Sequence, residues 1–216
     1  ENVEQINVTP ADLKPMAKSA MDLLKGLGRH GFIHGDIKPE NLFWNAETKV
    51  LQAIDTDGMT KISTKPGSIV PAEEISCTLA YLNPVAYHPN YEIALGQYNK
   101  EIKPQLGLGR DLYAMGVSLL QAALNAKGKG EQAKELIADI SSDEREIGKG
   151  EPDGLQSLRE ADFAPDSVED FARSCMLRSI EYELQRANEK NPSFDRYDPA
   201  AGEHLLNELS NHLALQ

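Results

Sequence analysis

Three polar residues in the segment His34–Asn41 have the types and the spacing needed for acid–base and metal chemistry. Asp36 can accept a proton from a hydroxyl group, Lys38 can hold a phosphate oxygen, and Asn41 can ligate Mg²⁺. The short apolar run Leu42–Trp44 follows directly and predicts a strand that fixes the end of the segment. This set of residues would suit the transfer of a phosphoryl group.

A carboxylate further along the chain could complete a metal site. Asp55 follows the apolar run Val50–Ile54, which predicts a second strand, and the polar stretch between the two runs predicts a hairpin. Asp57 adds another carboxylate two residues on, immediately before Gly58. We leave two interpretations of Asp57 open, a residue that approaches the metal and a simple turn residue.

The charge of the chain bears on its partners. The net charge is -12, which argues against nucleic acid as a partner because such proteins usually carry a basic patch. The acidity is concentrated in the segment 131–170, which contains 13 acidic and 4 basic residues. This segment is either a solvated surface or a docking face for a basic partner.

The cysteine content and the hydropathy pattern bear on the compartment. Cys77 and Cys175 lie far apart and do not form a disulfide framework, so we expect reduced, structural thiols and a cytoplasmic setting. No apolar stretch approaches the length of a membrane span, and the N-terminal residues do not resemble a signal peptide.

The apolar periodicity predicts a fold that is mainly α with a small β-hairpin. Thr9–Asp12 has the pattern of a helix start, and we expect Gly26 and Gly28 to end that helix. Residues 111–124 are apolar on both sides, which predicts a buried central helix. The hairpin is expected within residues 42–54.

Four segments, in order, resemble motifs of the protein kinases. The segment His34–Asn41 resembles the catalytic loop H-R-D-L-K-P-E-N, and Asp55–Gly58 stands where that family has D-F-G. Cys77–Pro84 is similar to the end of the activation segment, G-T-x-x-Y-x-A-P-E, and Asp111–Val117 is similar to D-x-W-S-x-G-V. The order and spacing of the four matches identify the chain as a divergent, eukaryotic-like member of the protein-kinase fold.

The resemblance implies a role for each matching residue. Asp36 would orient and deprotonate the substrate hydroxyl, and Lys38 would steady the transferring phosphoryl group of ATP. Asn41 and Asp55 would hold Mg²⁺. ATP and Mg²⁺ are therefore the cofactors that the resemblance implies.

Four more residues would support the substrate side of the site. Thr78 would form hydrogen bonds with the catalytic Asp and Lys, while Tyr81 and Pro84 would shape a ledge for the substrate protein. Asp111 would accept hydrogen bonds from the backbone of the catalytic loop, as suits a carboxylate in the first turn of a helix.

The resemblance also sets the domain organisation. It implies that residues 1–216 are a C-terminal kinase lobe, with a catalytic loop at 34–41, an activation segment at 55–85 and a central helix at 111–124. The string Gly26–Gly31 matches a Gly-rich loop but follows a helix, so we interpret it as a helix end. The N-terminal lobe is then missing from this chain, and the chain alone is expected to be inactive.

Two family residues are replaced. Val85 stands where the family has the closing Glu, and Gly35 stands where the catalytic loop has an Arg that pairs with a phosphate on the activation segment. Without that Arg, we expect activity that does not depend on phosphorylation. The hydroxyls concerned are those of Thr60, Ser63, Thr64, Ser68 and Ser76.

The resulting functional prediction is a Ser/Thr protein kinase, with a pseudokinase-type scaffold and a small-molecule kinase of the aminoglycoside or choline type as alternatives. The degraded motifs suggest a bacterial effector kinase, which would act in the cytoplasm of a host cell after secretion. The expected partners are a protein substrate, the missing N-terminal lobe and a protein docked on the acidic segment 131–170.

Overall fold

The computed structural model describes residues 8–61, 79–83, 108–141, 153–188 and 199–214. Six α-helices lie within these ranges: α1 Leu13–His30, α2 Leu108–Ala126, α3 Gly130–Ser141, α4 Asp153–Glu160, α5 Val168–Asn188 and α6 Pro199–Ala214. Four short strands accompany them: β1 Phe32–Ile33, β2 Leu42–Asn45, β3 Val50–Ala53 and β4 Thr60–Lys61. The predicted mainly helical architecture with a small antiparallel hairpin is confirmed.

Helix α2 is the centre of the core. It packs most extensively against α5 and also contacts α1 and α3, and it is buried on all sides over most of its length. Leu112, Met115 and Leu120 are fully buried, and each contributes about 1.5–3 kcal/mol through the removal of apolar surface from water. The predicted central helix at 111–124 is confirmed, with three further residues at its start and two at its end.

The start of α1 is tied to the hairpin. The backbone N–H and the hydroxyl group of Thr9 donate to Asp12 Oδ2 at 3.2 and 2.6 Å, which closes the turn before the helix. Lys49 Nζ, from the turn between β2 and β3, donates to Asp12 Oδ1 at 2.6 Å. Asp12 therefore links the first helix to the hairpin that carries Asn41 and Asp55.

The predicted end of α1 at Gly26 and Gly28 is wrong. The helix continues to His30 and ends at Gly31, which has a left-handed backbone (φ 71°) and whose N–H bonds to the carbonyl of Gly28 at 3.1 Å. A glycine weakens a helix interior by only about 1 kcal/mol, so tertiary packing of the apolar face of α1 overrides two of them.

The strands form two antiparallel pairs, where one hairpin was predicted. β2 pairs with β3, with Phe43 opposite Gln52, and β1 pairs with β4, with Ile33 opposite Thr60. The connections 34–41 and 54–59 both cross from one pair to the other. These two connections therefore lie side by side, which brings the predicted catalytic loop next to Asp55.

A buried carboxylate fixes the loop 34–41 to the core. Asp111, in the first turn of α2, accepts the backbone N–H of His34 at 2.6 Å and that of Gly35 at 3.0 Å. Burial raises the pKa of the Asp111 carboxyl, and the two N–H bonds and the charge of Arg110 oppose that effect. Asp111 thus links the central helix to the loop through two hydrogen bonds.

Several predicted features lie partly or wholly outside the described residues. They include Cys77, residues 142–152 of the acidic segment, and most of the activation segment. Cys175 is fully buried as a free thiol, and burial raises its pKa, which suits a structural residue. Across the described ranges, every helix falls short of the combined length and apolar character that a bilayer crossing requires.

The tether, by which we mean the two hydrogen bonds from the loop backbone to Asp111, predicts a large effect of substitution at Asp111. Asp111→Ala should lower the free energy of unfolding by about 2–4 kcal/mol, because two buried N–H groups lose their acceptor. Chemical denaturation measures the loss. Asp22→Ala is the matched control, since the Asp22 side chain is 62% exposed, and it should change stability by less than about 0.5 kcal/mol. Equal effects of the two substitutions would contradict the tether.

The link from Asp12 to Lys49 predicts a pH-dependent contribution. Hydrogen bonds from Lys49 and Thr9 lower the pKa of Asp12 from 3.8 to about 2. The ionised form is therefore stabilised by folding, and this stabilisation is complete above pH 3.8 and is lost as the pH falls toward 2. Asp12→Asn should lower Tm near neutral pH, and its difference from the wild type should shrink in that acidic range. A difference in Tm that stayed constant with pH, as expected for the exposed control Asp22→Asn, would sink this assignment.

Candidate active site

Asp36, Lys38 and Asn41 form one cluster. Asp36 Oδ2 accepts hydrogen bonds from Lys38 Nζ at 2.7 Å and from Asn41 Nδ2 at 3.1 Å, and Asn41 Nδ2 also donates to the backbone carbonyl of Asp36 at 2.8 Å. The side chains of Asp36 and Lys38 are 17% and 24% exposed. The carboxylate is therefore held in one orientation and remains reachable from solvent.

A tight turn produces this arrangement. Lys38 has an extended backbone, as favoured before a proline, and Pro39–Asn41 forms a single 3-10 turn. The turn is closed by the N–H of Asn41, which donates to the carbonyl of Lys38 at 2.9 Å. The fixed backbone of Pro39 thus turns the chain so that the amide of Asn41 returns to Asp36.

Asp55 is positioned by its neighbour Ile54. The N–H of Ile54 donates to the carbonyl of Asn41 at 2.8 Å, so Asp55 is the next residue after a direct link to the loop. Asp55 is exposed and has a left-handed backbone (φ 58°), a conformation that Asp tolerates better than most residues. Sparsely populated backbone conformations of this kind persist where surrounding contacts enforce them.

His34 joins the two connections, a role that was not predicted from the sequence. It is fully buried, its Nδ1 lies 3.4 Å from the N–H of Asp36, and its Nε2 lies 3.3 Å from the carbonyl of Ile54. A neutral ring with the proton on Nε2 satisfies both contacts. His34 is the first residue of the loop motif, which was the available signal for it.

The residues present fit a magnesium ion. Asn41 Nδ2 donates twice to Asp36, so the amide oxygen is the atom of Asn41 left to face a cation. Asp55, the residue after the link between Ile54 and Asn41, and Asp57 are both exposed. In the part of the chain that the structure describes, His, Cys, Asp and Glu residues form no metal-binding group of three or more. This donor set suits Mg²⁺, which is often held by one or two carboxylates and completed by phosphate and water oxygens.

The predicted ledge is described only in residues 79–83, so Thr78 and Pro84 lie outside the described residues. Tyr81 donates from its hydroxyl group to Gln121 Oε1 of α2 at 2.9 Å. Burial, with a smaller contribution from the charge of Glu40, raises the pKa of Tyr81. Asn83 Nδ2 donates to Ser179 Oγ of α5 at 3.4 Å, so this segment is anchored on the two central helices.

Similarity to known proteins is found among solved structures. No family model and no curated protein matches the chain. Among solved structures, the chain is similar to the kinase PK-1 of Cydia pomonella granulovirus, with 15% sequence identity and a TM-score of 0.44. The match covers 87% of this chain and 62% of the viral chain, so the chain spans less than two thirds of that protein. The functional proposal therefore depends on the residues of the site.

Proposed function

We propose that the chain is the catalytic lobe of a Mg²⁺-dependent kinase that transfers the γ-phosphoryl group of ATP to a Ser or Thr hydroxyl of a protein. The observation that carries this proposal is the cluster in which Asp36 Oδ2 is held by Lys38 and Asn41, at 2.7 and 3.1 Å. The neighbouring position of Asp55, one residue beyond the link between Ile54 and Asn41, adds the second ligand.

Asp36 acts as the base in this proposal. Two donors fix its carboxylate, so a substrate hydroxyl meets an acceptor that is already oriented. The hydroxyl oxygen forms a bond to the γ-phosphorus, the bond from that phosphorus to the bridging oxygen breaks, and ADP leaves with the electron pair. The hydroxyl proton passes to Asp36, which returns it to solvent.

Lys38 and the metal ligands would offset the negative charge of the phosphate groups. Lys38 Nζ lies 2.7 Å from Asp36 Oδ2, where it can contact the oxygens of the transferring phosphoryl group. Asn41 and Asp55 would hold Mg²⁺, which neutralises phosphate charge when it is bound. Asp55 has a left-handed backbone and directly follows Ile54, which is held through its N–H by Asn41 and through its carbonyl by His34.

An apolar face beside the metal ligands suits the nucleotide base. Phe43, Val50 and Ile54 are large hydrophobic residues that are 44%, 41% and 40% exposed. Phe43 lies opposite Gln52 on the neighbouring strand, so the two side chains share a face of the hairpin. Ile54 comes two residues after Gln52, so its side chain lies on that same outer face. We assign the floor of the base site to Phe43 and Ile54, which flank Asn41 and Asp55 in sequence.

The segment 79–83 favours a protein acceptor over a small molecule. Tyr81 and Asn83 anchor it on α2 and α5, which supplies a firm surface beside the loop. A scaffold without activity would need neither the oriented carboxylate of Asp36 nor the exposed carboxylate of Asp55. Both rivals are separated from the proposal by the assays below.

Isosteric substitutions test the assigned roles. In the intact protein, Asp36→Asn should lower kcat by about 10²–10⁴-fold, because the base is lost while the shape is kept. Asp55→Asn should weaken the binding of Mg²⁺, so that a higher Mg²⁺ concentration is needed to reach the same rate. The fold should be kept, because Asn also tolerates the left-handed backbone. The readout is transfer of labelled phosphate to a protein acceptor, with Tm measured in parallel.

Asp166→Asn is the matched control for Asp55→Asn. Asp166 is also an exposed Asp with a left-handed backbone (φ 63°), and it lies in the connection before α5. The control should leave the rate unchanged. Full activity of Asp36→Asn would overturn the proposal, transfer to aminoglycoside or choline alone would favour the small-molecule alternative, and a wild-type protein without transfer would favour the scaffold.

The proposed site for the nucleotide base is tested separately through KM for ATP. Phe43→Ser should raise KM for ATP by about tenfold with kcat little changed, because an apolar contact shared by ground state and transition state is removed. Val50→Ser is the matched control, since Val50 is similarly exposed on the same face but lies at the far end of the hairpin. An equal rise in KM for both variants would contradict the assignment.

A further inference from the structure

Two consecutive residues of α2 hold the same glycine of the loop. Asp111 accepts the N–H of Gly35 at 3.0 Å, and Arg110 donates from Nη2 to the carbonyl oxygen of Gly35. Arg110 is only 3% exposed. Both polar groups of Gly35 are therefore bound by neighbouring side chains in the first turn of one helix.

The position of Arg110 is unfavourable for the helix itself. A cation in the first turn lies at the positive end of the helix dipole, where it destabilises the helix. Burial of a guanidinium group is also costly unless hydrogen bonds and a nearby anion offset the loss of hydration. The adjacent Asp111 supplies the anion, and the Gly35 carbonyl supplies an acceptor. The contact with the Gly35 carbonyl thus supplies part of the compensation for burying Arg110.

The backbone of Gly35 explains why the cation comes from α2. Gly35 has φ 82°, a left-handed conformation that residues with a side chain rarely adopt. An arginine at position 35, as in the motif that the loop resembles, would strain this conformation. The loop therefore lacks a cation at position 35, and Arg110 contacts its backbone from the core.

The contact acts on Asp36 through one rigid peptide group. The carbonyl of Gly35 and the N–H of Asp36 belong to the same planar unit. Arg110 binds the oxygen of this unit, and His34 Nδ1 lies 3.4 Å from its N–H. Both sides of the unit are therefore fixed, and the backbone of Asp36 starts from a set direction.

We propose that Arg110 is a positioning residue that holds the peptide group before Asp36 and thereby keeps the loop 34–41 in its active arrangement without a phosphate on the activation segment. The proposal rests on the proposed function, which assigns the base to Asp36. It extends that function to its regulation, because a loop fixed by a permanent internal cation needs no phosphorylation to become ordered.

Kinetics of Arg110 variants provide the first test. In the intact protein, Arg110→Met keeps the apolar stem and removes the donors, and it should lower kcat by about tenfold with KM for ATP changed less than about twofold. Arg110→Lys keeps a cationic donor and should recover at least about threefold of that loss. Arg178→Met, at a site 47% exposed, is the matched control and should match the wild type. A rise in KM for ATP as large as the fall in kcat, or no recovery of kcat in Arg110→Lys, would overturn the proposal.

Hydrogen exchange gives a readout that does not need activity. Amides of the loop 34–41 should exchange about tenfold faster in Arg110→Met than in the wild type, while amides in the interior of α5 change little. Unchanged exchange in the loop, or equal acceleration throughout, would refute the positioning role even if kcat fell. If the wild type transferred no phosphate, the proposed function would fail, and exchange would still decide whether Arg110 holds the loop.

Phosphatase treatment tests the regulatory part. Wild-type protein stripped of phosphate should keep its rate within about twofold, because the internal cation replaces the ordering that an added phosphate would supply. A loss of more than about tenfold on phosphatase treatment, restored by rephosphorylation, would refute independence from phosphorylation.

Discussion

The site depends on the buried carboxylate of Asp111. It lies in the first turn of the most deeply buried helix and accepts two backbone N–H groups of the loop 34–41. Desolvation of such a carboxylate is costly, and the two hydrogen bonds and the adjacent Arg110 offset part of that cost. Because the partners are backbone groups, Asp111 fixes the path of the loop whatever side chains the loop carries.

The position of the connection 54–59 depends on that of the loop 34–41. Strand pairs of two or four residues have little stability of their own, so neither sheet can set the geometry of the site. Ile54 is instead held by the carbonyl of Asn41 through its N–H and by His34 through its carbonyl. These contacts enforce the left-handed backbone of Asp55. Asp36, the proposed base, and Asp55, the proposed metal ligand, are thus parts of one hydrogen-bonded unit anchored at Asp111.

The sequence predicted what depends on local pattern. The apolar periodicity identified the central helix and the hairpin, and the loop motif identified Asp36, Lys38 and Asn41 as neighbours. It did not predict the pair β1–β4, because two-residue strands show no periodicity, and it ended α1 too early because packing outweighs glycine propensity. The contact of Arg110 with Gly35 joins residues 75 positions apart, so only the folded chain shows it.

The two halves of the site differ in how firmly they are held. Asp36, Lys38 and Asn41 are fixed by contacts within the chain and are partly or fully buried, so the half that would receive the acceptor is preorganised. Asp55, Asp57, Phe43 and Ile54 are exposed, so the half that would receive the nucleotide has surface left to bury. Under the proposed function, binding of a nucleotide would therefore order its own ligands and leave Asp36 unmoved. In the proposed site, the energy of nucleotide binding would be used to align the phosphates against Asp36, the proposed base, which is already in place.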